Sequence, residues 1–227
     1  MNKLKTLIAT FVVSCAFITG CSCVGGKILP DPKVEDSAYG RMFGVDANIN
    51  MSTIDKYLDL KGVVYRDMRM LEDPIEYGDM VESNGDAALS GYIEGFEVIP
   101  FPHIAPVEAP EGVGGAPYSG PTLFSVNSEG KHVANYEESI EILEAIFPKD
   151  KVIFVMCGGG GYAGMTKNLL IELGWDANKI YNIGGFWSYE GEHAVSTVLK
   201  TNPDNSRVFD FSSVAYHDID FTVLTEK

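Results

Sequence analysis

Cysteine is scarce in this chain of 227 residues: there are four, and no two of them form a Cys-x-x-Cys pair. Cys15 and Cys21 fall in the N-terminal segment, which leaves Cys23 and Cys157 for the body of the chain. That number excludes a disulfide framework. Positive charge is also short. Seventeen Lys and Arg stand against 32 Asp and Glu, for a formal net charge of −15. Such acidity argues against nucleic acid and against adhesion to anionic lipid headgroups. It reads as a solvated surface that aids solubility. The mostly apolar run Thr6 to Ile18 is too short for a membrane-spanning helix. The length suits one domain with a sizeable core.

Against that background Cys157 stands out. It follows the apolar run Val152-Ile153-Phe154-Val155-Met156 and opens a loop of four glycines, Gly158 to Gly161. A helical pattern begins near Ala163 or Gly164. Buried strand, cysteine, glycine loop and helix, in that order, put a thiol beside free backbone N–H groups at a helix N-terminus. Aligned peptide dipoles there favour an anion, such as a thiolate or a sulfur bonded to it. Four glycines carry a large loss of backbone freedom, tolerated where the chain curves tightly or a ligand comes close. Two readings follow: a cradle around a reactive sulfur, or a glycine-rich turn beside an inert buried cysteine. The loop holds no Lys or Arg, so it lacks the guanidinium fork that a phosphate dianion usually meets. It suits a small, weakly charged group. Tyr162 at its end either donates a hydrogen bond and walls the pocket or packs as an aromatic.

Periodicity orders the rest. Ser52 is a candidate N-cap for a short helix over Thr53 to Leu60, with Asp55 three residues on. Val63 to Asp67 reads as a strand with Asp67 and Arg69 at its end, and Phe96 to Phe101 as another. Asp73 to Leu89 is acidic and rich in turn signals. Pro102 to Gly130, with five prolines and five glycines, reads as a lid, a partner-binding insertion or a disordered excursion. His103 within it is either a surface residue or a proton or metal site. Tyr136 to Phe147 is an amphipathic helix, with Tyr136, Ile140, Leu143 and Phe147 at helical spacing. Asn135 with Glu138 is its expected capping box. After Cys157, Met165, Leu169, Leu170 and Leu173 share a helix face, and Gly174 is the expected C′ residue. Ile180 to Ile183 is a strand, Gly184-Gly185 allows close packing beside the loop, and Trp187 is expected to fill core space. Strands alternating with helices predict an α/β fold, a parallel sheet covered on both faces. Sites on such sheets lie beyond the carboxyl ends of the strands, where Cys157 falls. The tail Arg207 to Leu224 alternates and is expected to add an edge strand or cover one face. His217 with Asp218 and Asp220 is a weak metal pattern, more simply a solvated turn.

The segments Cys157-Gly158-Gly159-Gly160-Gly161-Tyr162-Ala163, then Leu170 and Gly174, then Lys179 to Trp187, resemble the second half of a rhodanese-like sulfurtransferase domain. Val63 to Arg69 is similar to that family's strand ending in Asp-x-Arg. Gly91-Tyr92-Ile93-Glu94-Gly95-Phe96, followed by Ile99-Pro100, is similar to its Gly-His-Ile-x-Gly-Ala and Ile-Pro segment. The resemblance spans roughly residues 45 to 192, in order. It departs at Tyr92, where His is usual, at Tyr162-Ala163, where Arg-Ser is common, and in the long stretch of about 101–135. The loop keeps the length of the sulfur-transfer branch. The related dual-specificity phosphatases have a longer loop ending in Arg, so that activity is not expected.

The resemblance implies a rhodanese-like parallel sheet flanked by helices on both faces, with a Pro/Gly-rich insertion. It also implies Cys157 as the catalytic nucleophile, with Gly158, Gly159, Gly160, Gly161 and Tyr162 binding substrate and Asp67 and Arg69 ordering the loop. Sulfane sulfur would move from thiosulfate or polysulfide to a thiol, sulfide or cyanide acceptor through a persulfide on Cys157. No metal or cofactor is called for, because the cysteine is the carrier. The alternative is a non-catalytic, membrane-tethered binding or sulfur-sensing module, with a protein partner at residues 101–135. Thiol redox exchange is a third reading; it lacks a nearby second cysteine unless Cys23 reaches Cys157.

The N-terminus reads as a targeting segment: two lysines in Met1 to Lys5, an apolar stretch, then Ile18-Thr19-Gly20-Cys21. The last four resemble the lipobox of bacterial lipoproteins, which implies cleavage before Cys21 and its lipidation. The expected organisation is a signal peptide at 1–20, a lipidated cysteine and flexible tether at 21–40, one domain at 41–195 and a C-terminal extension at 196–227. A lipid anchor would hold the domain at a membrane of the bacterial cell envelope, outside the cytoplasm.

Overall fold

The computed structural model describes residues 23–70, 91–108, 118–205 and 207–227. In chain order, β1 (Cys23–Val24) and β2 (Lys27–Ile28) form a small hairpin, followed by α1 (Ala38–Phe43), a 3₁₀ turn at Ile54–Tyr57 and β3 (Val63–Asp67). Next come β4 (Gly91–Ile93), β5 (Glu97–Val98), α2 (Phe101–Ile104), the hairpin of β6 (Phe124–Val126) and β7 (His132–Ala134), and α3 (Ser139–Ile146). Then β8 (Val152–Cys157), α4 (Gly161–Glu172) and β9 (Ile180–Gly185) follow one another. The C-terminal stretch holds β10 (Ala194–Ser196), β11 (Val198–Thr201), β12 (Arg207–Phe209) and β13 (Ala215–Tyr216).

Five of these strands form a parallel sheet in the order β13-β5-β3-β8-β9, flanked by helices. The fold class is α/β, as the alternating pattern predicts. β8 is an interior strand, between β3 and β9, and is buried along its whole length, which is why its sequence is an unbroken apolar run. Its side chains alternate between faces. Ile153, Val155 and Cys157 join the cluster containing Leu143 and Ile146 of α3 and Leu169 and Leu170 of α4. Val152, Phe154 and Met156 join Ile49, Ile54, Tyr181 and Ile183 on the other face. The period-2 geometry therefore points Cys157 toward the α4 side of the sheet.

Several boundaries differ from the sequence reading. The helix expected over Thr53 to Leu60 is the 3₁₀ turn Ile54–Tyr57, and Ser52 does not cap it. The Ser52 hydroxyl donates instead to Asn50 Oδ1 at 2.7 Å. The Asn135/Glu138 capping box does not form. Ser139 Oγ accepts from Tyr136 N at 3.1 Å, while Glu138 accepts from the N–H and hydroxyl of Thr225. Ile140 is on the solvent side of α3, which buries Leu143 and Ile146. The strand expected over 96–101 is only β5, because Phe101 already opens α2. α4 starts at Gly161, two residues before the earlier of the two expected starts.

Two larger corrections concern packing. The stretch of about 101–135 is no structureless insertion where it is described. It carries α2, β6 and β7, and it buries Phe101, Ile104, Leu123 and Phe124 in the core. Each such side chain contributes about 1.5–3 kcal/mol of burial. Residues 109–117 of that stretch lie outside the described residues, as does the acidic turn-rich segment over 73–89. The stretch expected as a flexible tether is fastened to the domain. Leu29 is fully buried, Tyr181 donates its hydroxyl proton to Pro30 O at 2.7 Å, and Lys33 N donates to Asp46 Oδ2 at 2.7 Å. The tail supplies the expected edge strand: β13 pairs with β5, and His217 N donates to Val98 O at 2.9 Å. Tyr92, where the resembling family has His, donates its hydroxyl proton to Ser213 O at 2.8 Å and so holds the same tail.

Candidate active site

Cys157 ends β8 at the carboxyl edge of the sheet, 3% exposed. The next four residues turn the chain back over its sulfur. Gly160 makes the turn possible with φ +93°, a conformation that costs glycine little and L side chains a great deal. Its N–H donates to Cys157 Sγ at 3.0 Å. Burial pushes the thiol pKa up, and the Asp67 carboxylate adds to that. The backbone N–H groups of Ala163, Gly160 and Tyr162 pull it the other way. The neutral thiol is therefore the resting form, and the N–H groups wait for charge on the sulfur.

Three neighbours fix the loop. Gly185 of β9 lies so close that a Cβ there would come within 2.0 Å of Gly158 O. The expected close packing of Gly184-Gly185 beside the loop is realised, with Gly184 at φ +95°. Asn182, fully buried, donates from its amide to Gly160 O at 3.1 Å and to Phe43 O at 2.8 Å, and accepts from Gly184 N at 2.9 Å. Gly164 on α4 sits against Phe43 O, where a Cβ would approach to 2.4 Å. Sequence reading missed Asn182; a polar residue inside an otherwise apolar strand was the available signal.

Asp67 and Arg69 form a buried ion pair at the end of β3. Arg69 Nε donates to Asp67 Oδ1 at 2.9 Å, and a second guanidinium nitrogen reaches Asp67 Oδ2. The guanidinium also donates to Gly91 O at 2.9 Å and stacks over Phe186 at 4.8 Å. The pair thus ties β3 to β4 and to the residue after β9. Tyr162 is half-buried and stacks on Phe101 with ring centroids 5.8 Å apart. It reads as packing at the loop end.

Trp187 is not a core residue. It is 58% exposed, its backbone N–H donates to Gly158 O at 3.1 Å, and its indole covers the loop. A Cβ on Gly158 would fall 2.5 Å from the ring. On this outer side the loop borders a cavity of about 380 Å³. Gly158, Gly159, Gly185 and Trp187 form one wall, and Glu35, Tyr39, Asn50 and Ser52 form another. Cys157 itself is behind the wall. The Tyr39 hydroxyl pKa is pushed up to about 12, first by burial and then by the charge of a Cys157 thiolate.

Other candidates lie elsewhere. His103 is half-buried rather than on the surface, between Tyr118 and Phe221, with its Nδ1 unbonded and its pKa lowered by burial. His217 faces Glu97 at 3.7 Å. Among the described residues no group of three His, Cys, Asp or Glu side chains gathers to hold a metal. No helix of the described residues is long and apolar enough to cross a membrane. Cys21 and the expected signal segment lie outside the described residues. Comparison with protein-family models, with curated proteins and with solved structures finds no match.

Proposed function

We propose that the protein is a rhodanese-like sulfurtransferase that carries sulfane sulfur on Cys157. The observation that carries the reading is the Gly160 N–H donating to Cys157 Sγ at 3.0 Å at the head of α4, where the Tyr162 and Ala163 N–H groups also favour charge on the sulfur. An inert buried cysteine has no use for three donors, whereas a sulfur that becomes anionic does. The Cys157 thiolate attacks the outer sulfur of thiosulfate or of a polysulfide. A new S–S bond forms at Cys157, the donor's S–S bond breaks, and sulfite or the shortened polysulfide leaves with the electron pair. A thiol, sulfide or cyanide then takes the outer sulfur, and Sγ leaves as thiolate. A persulfide is more acidic than a thiol, so the loop holds a carrier that is charged where the free thiol is not.

Asp67 and Arg69 act as positioning residues, since Arg69, paired with Asp67, bonds Gly91 O and lies over the Phe186 ring. The lipobox-like Ile18 to Cys21 supports an anchored, extracytoplasmic setting in the bacterial envelope. A second reading, a non-catalytic binding or sulfur-sensing module, is favoured by one feature: Cys157 is almost fully buried and does not line the cavity. The test is the Cys157→Ser variant. Sulfur transfer from thiosulfate or polysulfide is expected to vanish with the fold intact by circular dichroism, and residual turnover would defeat the assignment.

A further inference from the structure

The cavity on the outer side of the loop has an unusual set of polar groups. Its polar and aromatic lining is Glu35, whose carboxylate also packs against Gly40, with Tyr39, Trp187, Asn50, Ser52 and Ser188. Among the described residues no Lys, Arg or His lines it. Both rings are open to solvent, at 49% and 58% exposure. A carboxylate with exposed aromatic faces attracts an ammonium or guanidinium group by charge and by the ring quadrupole. The same walls repel an anion, and the net charge of −15 adds to the repulsion at a distance. At about 380 Å³ the space suits a small molecule or one long side chain.

We propose that this cavity is the acceptor site and that it selects a small thiol bearing a positive charge, with its cation held at Glu35, Tyr39 and Trp187. The inference rests on the sulfur-carrying reading above. In the transfer, the acceptor thiolate attacks the outer sulfur of the Cys157 persulfide. The bond from that sulfur to Sγ breaks, Sγ keeps the electron pair, the acceptor becomes a persulfide, and no oxidant or reductant is consumed. Because Sγ lies behind the glycine wall, the loop has to open or the persulfide has to swing outward past Gly158 and Gly159.

Two experiments on the purified protein test this separately from the sulfur chemistry. First, the protein loaded with polysulfide is offered cysteamine, 2-mercaptoethanol and mercaptoacetate, with rates compared per thiolate. The cation is expected to react about 5–10 times faster than the neutral thiol, from one carboxylate contact plus one cation–π contact, and the anion slowest. Glu35→Gln should shrink that ratio to about 2, and raising the salt should shrink it in the wild type. An order that ignores charge overturns the proposal even if Cys157 loads sulfur normally. Second, 2-(methylthio)ethylammonium and (methylthio)acetate, which cannot accept sulfur, are titrated while the indole N–H NMR signal of Trp187 is followed. It is assigned by its loss in Trp187→Phe. Movement with the cation alone supports the site whether or not Cys157 carries sulfur. Movement with neither, or equally with both, overturns it.

Discussion

Two strips of chain meet at this cavity, and they are specified in different ways. Residues 152–188 run strand, cysteine, glycine loop, helix, strand, and every step is local. The apolar run is interior strand β8, the glycines give the turn, and Leu169 and Leu170 seat α4. Residues 29–53 contain no regular element beyond the six residues of α1. They hold shape through side-chain hydrogen bonds to backbone, some within a few residues, as at Asp46, and some from β9, as Tyr181 and Asn182 donate to Pro30 O and Phe43 O. Asp46, 1% exposed, takes the N–H groups of Lys33, Asn48 and Ile49 at 2.7–2.8 Å. The first strip houses the sulfur, and the second supplies the carboxylate and a ring of the proposed acceptor site. The reacting atom sits where local pattern is strongest, and selectivity sits where partners are remote in sequence.

The largest effect should come from Gly185→Ala in the first strip. A backbone contact of 2.0 Å cannot be relieved by a side-chain shift. The substitution is expected to cost about 4 kcal/mol or more and to free Cys157 for rapid alkylation. Urea denaturation and thiol labelling would reveal a loop that tolerates it, which would mean that β9 and the glycine loop are not in close contact. Asp46→Ala should cost about 3 kcal/mol by stranding three N–H groups, yet act on the second strip alone. Hydrogen exchange should rise over residues 30–50, while polysulfide still loads Cys157. Equal loss of both functions would erase the distinction drawn here.

Asn182 joins the two strips, since its amide bonds Phe43 O in one and Gly160 O in the other. Asn182→Ala is expected to cost about 2 kcal/mol and to weaken both sulfur loading and cavity binding. The pH profile gives the smallest change in stability but a clear sign. A thiol pKa raised in the fold means that folding disfavours the thiolate. Stability should therefore decline as pH rises above the ordinary thiol value, and loading should accelerate about tenfold per pH unit below the folded pKa. A loading rate already at its plateau at pH 7 would show that the N–H groups outweigh burial.

The sheet, its parallel sense and the strand-loop-helix around Cys157 were readable because buried strands and glycine turns leave local signatures. Trp187 and the residues flanking α1 were not. An exposed tryptophan and a buried one look alike in sequence, and Gly158 under the indole is a contact between residues 29 apart. The Pro/Gly-rich stretch before α3 misled for a related reason. Its prolines and glycines signal turns, but Phe101, Ile104, Leu123 and Phe124 between them reach the core. Asn135 and Glu138 had capping chemistry available, yet Asn135 is drawn to Thr122 O at 2.8 Å and Glu138 to Thr225. Tertiary partners displaced the local cap.

The most direct test of the account is the intact mass of the protein after incubation with polysulfide or thiosulfate. A gain of about one sulfur atom (roughly 32 Da), absent in Cys157→Ser and removed by a thiol or cyanide, is the result expected of a covalent carrier. An unchanged mass with every donor, from pH 7 to above the ordinary thiol value, would contradict it and leave the glycine loop as the cover of an inert cysteine.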